Sequence, residues 1–249
     1  MNVLRKTKNE FFKIIKDNSI EKDKIDIEIM GLSPEEAIGN PGRNDFPLLI
    51  GNEVMIQADY SGSLGQAFTD HPGRFSGSIS DVINLKLDNN YHRALFVSTV
   101  NAVLNHLNRA EKTIHCRDQE PHECSQEMVK WIRKNSDAEQ IGIIGYQPAI
   151  TEECSKVFGS KNVKVTDLNP KLISEYKDGI KIWDGNTDTE KLIKESDLVL
   201  ATGSSVINDS IDNIIDIFNR YDREYYFFGN TIAGAAVLAD LPRLCFYGH

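Results

Sequence analysis

The chain is poor in cysteine, with Cys116, Cys124, Cys154 and Cys245 the four thiols among 249 residues. They are too few and too scattered for a disulfide framework, and free thiols persist in a reducing compartment, so the expected location is the cytoplasm. No CxxC pair occurs and no two histidines stand at the spacing of a helical metal site, so a zinc site of four thiolates, or of two thiolates and two imidazoles, has no support. No apolar run approaches the roughly 18 residues of a membrane span. The opening MNVLRKTKNEFFKIIKDN lacks the apolar core of a secretory leader and reads instead as an amphipathic helix with a solvated lysine face. Positive charge is also in deficit. With 28 basic and 37 acidic side chains the formal charge is −9, which argues against nucleic-acid binding as the main task. A P-loop, a complete GxGxxG fingerprint, internal repeats and a Ser- or Pro-rich linker are all missing.

What is present changes texture near residue 110. Before it, period-2 runs (Ile25, Ile27, Ile29, then Val54, Ile56, Ala58, Tyr60) alternate with turn clusters at 39–42, 61–65 and 71–74. The second run, the 61–65 turn and residues 66–69 predict a hairpin, and a helix is expected over 90–107. After residue 110, continuous apolar runs at 141–145, 163–167, 180–183, 198–202, 225–229 and 244–247 alternate with helical patterns at 148–158, 170–176, 189–195, 206–219 and 231–239. Continuous apolar strands separated by helices predict a parallel sheet covered on both faces. The expected class is therefore α/β: an α+β domain over 1–110, then a Rossmann-like doubly wound parallel sheet over 111–249.

Ligands of such sheets bind at the carboxyl ends of the strands. Here those ends carry Gly145, Asp167, Asn169, Thr202, Gly203, Ser204, Gly229 and Thr231. Each tip can equally be turn and cap chemistry, as Asn169 before Pro170 illustrates. Asp167 follows Gly145 at about the interval of a ribose-binding carboxylate. Asn208 stands four residues after Ser204 and shares its face if a helix begins there. The segment HCRDQEPHEC places His115, Cys116, Asp118 and Glu120 together, ahead of a helix that Pro121 would start. One imidazole, one thiol and two carboxylates could hold a transition-metal ion, or serve as acid, base and nucleophile. Asp118 and Glu120 would also suit a helix N-terminus electrostatically. Cys124, Met128, Trp131 and Ile132 form a helical stripe, so Cys124 reads as core, as do Cys154 and Cys245. His71, His92 and His106 read as surface or satisfied core residues.

The motifs AFTDHPGRFSGS, HCRDQEP, IGIIGYQPAI, VTDLNP, LVLATGSSVINDSID and FFGNTIAGAA together resemble a family described as putative heavy-metal chelation. The resemblance runs from about Gly31 to the end of the chain. It implies a domain similar to the N-terminal domain of enolase, then a Rossmann-like domain, with the site in the cleft between them. The matched positions are His115, Cys116, Asp118, Glu120, Gly145, Pro148, Asp167, Asn169, Thr202, Gly203, Asn208, Gly229 and Thr231. Enolase chemistry itself is not implied, because fold alone does not carry a reaction and the chain is too short to add a barrel. The resulting expectation is a small-ligand-binding protein with a role in heavy-metal handling. His115, Cys116, Asp118 and Glu120 would be its metal donors. The competing expectation is an enzyme using a nucleotide-type cofactor at the same strand ends. The cofactor stays open, a transition-metal ion being one candidate; no nucleic-acid or membrane partner is expected, and a homo-oligomer also stays open.

Overall fold

A computed structural model of the chain describes residues 2–29, 38–40, 42, 45, 46 and 54–249. The opening segment forms helix α1 (Val3–Asp17), where Asn2 caps the first turn by accepting the Arg5 N–H at 2.8 Å. Its buried stripe is Val3, Leu4, Phe11, Ile14 and Ile15, at helical spacing. Four antiparallel strands follow, β1 (Lys24–Ile29), β2 (Val54–Tyr60), β3 (Ser63–Thr69) and β4 (Phe75–Ser78), in the order β3-β2-β1-β4. Ile25 is buried as expected; the side chains of Ile27 and Ile29, and Pro41 of the 39–42 turn, lie outside the described residues. The β2–β3 turn is tighter than the expected 61–65. Tyr60 pairs with Ser63, leaving Ser61 (φ 54°) and Gly62 (φ 83°) as a two-residue turn whose twist suits a hairpin. Short α2 (Ile79–Ile83) is closed by a reciprocal Ser78–Asp81 capping box.

Helix α3 (Asn90–His106) is where the two halves of the chain meet. Every residue from 93 to 104 is buried, so the helix has no solvated face over that stretch. On one side β3 lies against its backbone, and a Cβ on Gly65 would collide with the Ala102 nitrogen and the Ser98 carbonyl. On the other side lie the helices of the second sheet.

That second sheet is built from the rest of the chain. Helix α4 (Glu120–Asn135) precedes β5 (Ile141–Ile144), α5 (Pro148–Phe158), β6 (Val163–Asp167), β7 (Tyr176–Lys177), β8 (Ile180–Asp184) and α6 (Thr189–Lys194). Then come β9 (Leu198–Thr202), α7 (Ile211–Tyr221), β10 (Glu224–Phe228), α8 (Ala233–Ala239) and β11 (Arg243–Leu244). The strand order is β11-β10-β9-β5-β6-β8-β7, and every pair is parallel except β7 with β8. Counting the six parallel strands in chain order from β5 gives 3-2-1-4-5-6, the doubly wound order, with the switch point between β5 and β9. The expected α/β class therefore holds. Alternate residues of each central strand serve opposite faces: Leu198 and Leu200 pack towards α4 and α5, Val199 and Ala201 towards α6, α7, α8 and the first half of the chain.

Three expected elements differ. Residues 170–176 are turns rather than a helix, and Tyr176–Lys177 returns along β8 through Asp178 (φ 49°) and Gly179 (φ 78°). The single helix over 206–219 is a 3-10 turn (Gly203–Val206), a break at Asp209 (φ 66°), and only then α7. The last strand stops at Leu244, so Cys245 lies beyond it and is half-buried rather than core.

Candidate functional site

A cleft of about 720 Å³ opens at the carboxyl ends of the parallel strands, around the switch point. Its far wall comes from the first half of the chain through Phe68, Thr69, Asp70 and Asn90. Gly145 ends β5 at φ +86°, with its N–H on the Thr166 carbonyl at 2.8 Å. A Cβ there would also lie 2.7 Å from Thr202 Cγ2, so a side chain at this tip would push into the tip of β9.

The next N–H, that of Tyr146, is already used. It donates to Asp167 Oδ2 at 2.7 Å, while Asp167 Oδ1 accepts the Asn169 N–H at 2.7 Å. Burial raises the Asp167 carboxyl above its ordinary range, and the backbone N–H groups of Asn169, Tyr146 and Leu168 pull against it. Gln147 caps α5 through the Ile150 N–H at 2.6 Å, and Pro148 has no N–H to offer. Asn169 accepts the Lys171 N–H at 3.0 Å.

At the end of β9 the Thr202 hydroxyl accepts the Ser204 N–H at 3.3 Å. Ser204 and Asn208 both line the cleft although no regular helix joins them. Asn208 Oδ1 accepts the Ser210 N–H and hydroxyl, at 3.1 and 2.6 Å. Gly203 does not reach the cleft. A Cβ there would meet Ile232 and the Phe228 carbonyl, so it permits close packing behind the tip. After β10, Gly229 and Thr231 line the cleft, and the Thr231 hydroxyl accepts the Phe68 N–H of β3 at 3.1 Å.

The compact 115–120 group is divided by the fold. His115 and Cys116 line the cleft; Asp118 and Glu120 face a separate groove with Arg117, Gln119, Glu123 and His249. Asp118 accepts the Asn40 N–H at 2.9 Å, and Glu120 accepts the Arg117 N–H at 2.7 Å and meets His249 Nε2 at 2.9 Å. Their observed bonds fasten chain segments. The His115 N–H donates to Gln66 Oε1 at 2.8 Å, and Phe68 packs edge-on to its ring. Its Nδ1 meets the Cys116 carbonyl, which can only accept, so Nδ1 carries the proton and Nε2 keeps its lone pair. Burial lowers the imidazole to about 4, against the Cys116 carbonyl and the Glu120 charge, and pushes the Cys116 thiol up to about 12.

Several groups that shape the cleft lack a local sequence signal. Asn230 Oδ1 and Thr166 Oγ1 sit on residues 2% and 0% exposed, both residues line the cleft, and neither atom has a hydrogen-bond partner among the described residues. Asn101, fully buried on α3, donates to the carbonyls of Gln66, Asn230 and Thr231 and accepts the Gly234 N–H at 2.8 Å. Arg93, also on α3, donates from Nε to the Ile207 carbonyl. Cys124 and Cys245 both line the cleft, and the Cys124 sulfur accepts the Phe246 N–H at 3.4 Å. Asn230 sits within the FFGNT motif and Thr166 within VTDLNP; for the other side chains only the fold supplies the partner.

Residues 128–242 match the model of the family described as putative heavy-metal chelation, which bears out the resemblance read from the motifs. The match takes in the strand tips from β5 to β10 but not the 115–120 group. A Pyrococcus horikoshii protein of unknown function from this family has a similar structure, at TM-score 0.53 and 19% identity over 92% of this chain and 79% of that one. A Desulfitobacterium hafniense family protein, also of unknown function, aligns at TM-score 0.50 and 12% identity over 75% of this chain and 71% of its own. At these identities the likeness concerns the fold. No curated protein matches the chain significantly.

Proposed function

We propose, with the family match over residues 128–242 as the premise, that the chain binds a small ligand in the cleft at its strand ends and serves in heavy-metal handling. The cleft lies between two units that divide near residue 110. The observation that carries this reading is buried polarity without a partner among the described residues, at Asn230 Oδ1 and Thr166 Oγ1. An unsatisfied buried acceptor costs about 1–3 kcal/mol, which a ligand donor would recover once the cleft wall shifts enough to expose it. Thr202, Ser204 and Asn208 add hydroxyl and amide groups on the same wall.

The four donors of the 115–120 motif do not fit one ion, since the fold turns Asp118 and Glu120 into another groove. Among the described residues no group of three or more His, Cys, Asp or Glu side chains is arranged to hold a metal ion. Donors for a bound metal or metal complex would then lie elsewhere in the cleft.

A nucleotide-type cofactor is the second reading, favoured by the strand order and by Asp167 at the end of the second strand. It ranks lower because backbone N–H groups suited to a pyrophosphate at the β5 tip are engaged by Asp167 and Gln147. A thermal-shift panel on the full chain separates the two. Zinc, nickel, cobalt or iron salts are expected to stabilise the protein with affinity tighter than about micromolar, and less so in the Asn230→Ala variant. Adenine-containing ligands should have no effect. Stabilisation by an adenine ligand that disappears in Asp167→Ala would transfer the reading to the nucleotide, and a panel without any metal response would remove the metal reading.

A further inference from the structure

We propose that the arm of the cleft between α6 and α7 is a subsite for an uncharged, largely apolar group bearing one hydroxyl, so that the ligand of the cleft is an organic molecule of which this group is a part. The inference rests on the small-ligand reading above and names one portion of that ligand. About 720 Å³ is far more room than a single ion fills, and it falls within the range of organic ligands. Part of that room lies against the face of the sheet that α6 and α7 cover. Ile144 and Thr166 are partners across β5 and β6, and both line the cleft. Ile144 packs into the same core as Leu192 and Ile193 of α6 and Ile214 and Ile217 of α7, which fixes the face it serves. Thr166 shares that face, because partnered residues of neighbouring strands point the same way. On α7 the lining residues Asn213, Ile214, Ile217 and Arg220 recur at helical spacing, and from α6 come Thr189 and Glu190.

The chemistry of this arm suits a neutral group. Ile144, Ile214 and Ile217 give it apolar walls. Its charged residues, Arg220 and Glu190, answer each other at 2.7 Å, and both are exposed at the rim. A charged group entering the arm would therefore leave water without a free counter-ion to receive it. Against the sheet stands the Thr166 hydroxyl, fully buried and without a hydrogen-bond partner among the described residues. The Thr189 hydroxyl is no substitute, since it already donates to the Gly185 carbonyl at 2.7 Å. A threonine hydroxyl both donates and accepts, so it can pair with a ligand hydroxyl in either direction. The oxygen is shielded in the unliganded chain, and a turn about χ1 exchanges it with the methyl group without moving the backbone. A single side-chain rotation is thus the wall shift that recognition requires.

The test is an NMR titration of the full chain, labelled at its isoleucine methyl groups, with phenol, toluene and benzoate. Phenol and toluene share a shape and differ by hydroxyl against methyl, and Thr166→Val makes the same exchange on the protein. Phenol should move the Ile144, Ile214 and Ile217 methyl signals to saturation, and benzoate should leave them in place. The ratio of phenol to toluene affinity should fall by about 3–10-fold in Thr166→Val, the worth of one net hydrogen bond. Valine keeps the outline of threonine, so the variant should resist urea at least as well as the parent, which separates lost recognition from a lost fold. Shifts spread over isoleucines elsewhere, an unchanged affinity ratio, benzoate binding as tightly as phenol, or a less stable valine variant overturns the subsite. If the divalent panel responds and phenol does not, only the subsite fails and the metal reading stands. If phenol binds and no metal does, the subsite stands and the metal reading goes; failure of both removes both.

Discussion

At the scale of single residues, His115 shows how a backbone carbonyl sets the chemistry of an imidazole. The Cys116 carbonyl fixes its tautomer, and burial holds its pKa at about 4 against an ordinary 6.5. Between those two values the unfolded chain binds more protons than the native one, so stability must fall as pH drops through that window. The full shift corresponds to on the order of 3 kcal/mol. Urea unfolding in metal-free buffer at pH 7 and pH 4.5 should show a smaller acid loss in His115→Gln than in the parent; equal losses would sink the assignment. The sequence marks His115 and Cys116 as chemically interesting, and both reach the cleft. It marks Asp118 and Glu120 equally, and they do not. Asp118 adopts φ +52°, a bend that turns the chain between the two pairs, and residue types alone do not announce it.

At the scale of elements, the central strands were legible because a parallel strand buried on both faces must be apolar throughout, and 141–144 and 198–201 are. Helices were legible where one face is apolar, as in α1 and α5. The failures come from competing turn signals. Asn169 and Pro170 look like a helix start, but Asp178 and Gly179 a few residues on supply the stronger hairpin signal, and the hairpin wins. Gly179 at φ +78° has room for a methyl group, so Gly179→Ala should lose about 1–2 kcal/mol through backbone strain alone. Urea denaturation should read that loss, and the metal response of the cleft should not change, because β7 is the far edge of the sheet. Beyond β9, the Asn208 side chain bonds to Ser210 and Asp209 takes positive φ, which breaks a pattern that otherwise reads as one helix.

At the scale of the whole molecule, α3 holds the cleft together. Through Arg93 it grips the loop after β9, and through Asn101 the loop after β10, so one helix from the first half of the chain positions both walls supplied by the second. Asn101→Leu would strand the Gln66 and Thr231 carbonyls and the Gly234 N–H in the interior, while the Asn230 carbonyl keeps the Ala233 N–H, and the expected loss is about 3 kcal/mol. Hydrogen exchange should show the Gly234 amide opening far more readily in that variant; unchanged protection would refute the role. This part of the site could not be read from sequence, since an asparagine in an apolar helix carries no mark of partners in another sheet. The strand tips could, because the rule that places ligands there depends only on strand order. The bond between Asn101 and Thr231 joins residues 130 apart. At a synthesis rate of about 5–20 residues per second, on the order of ten seconds separate the emergence of the two. The nascent first half must therefore wait with a helix greasy on every side and its amide unanswered, and the cleft is completed only after Thr231 has left the ribosome.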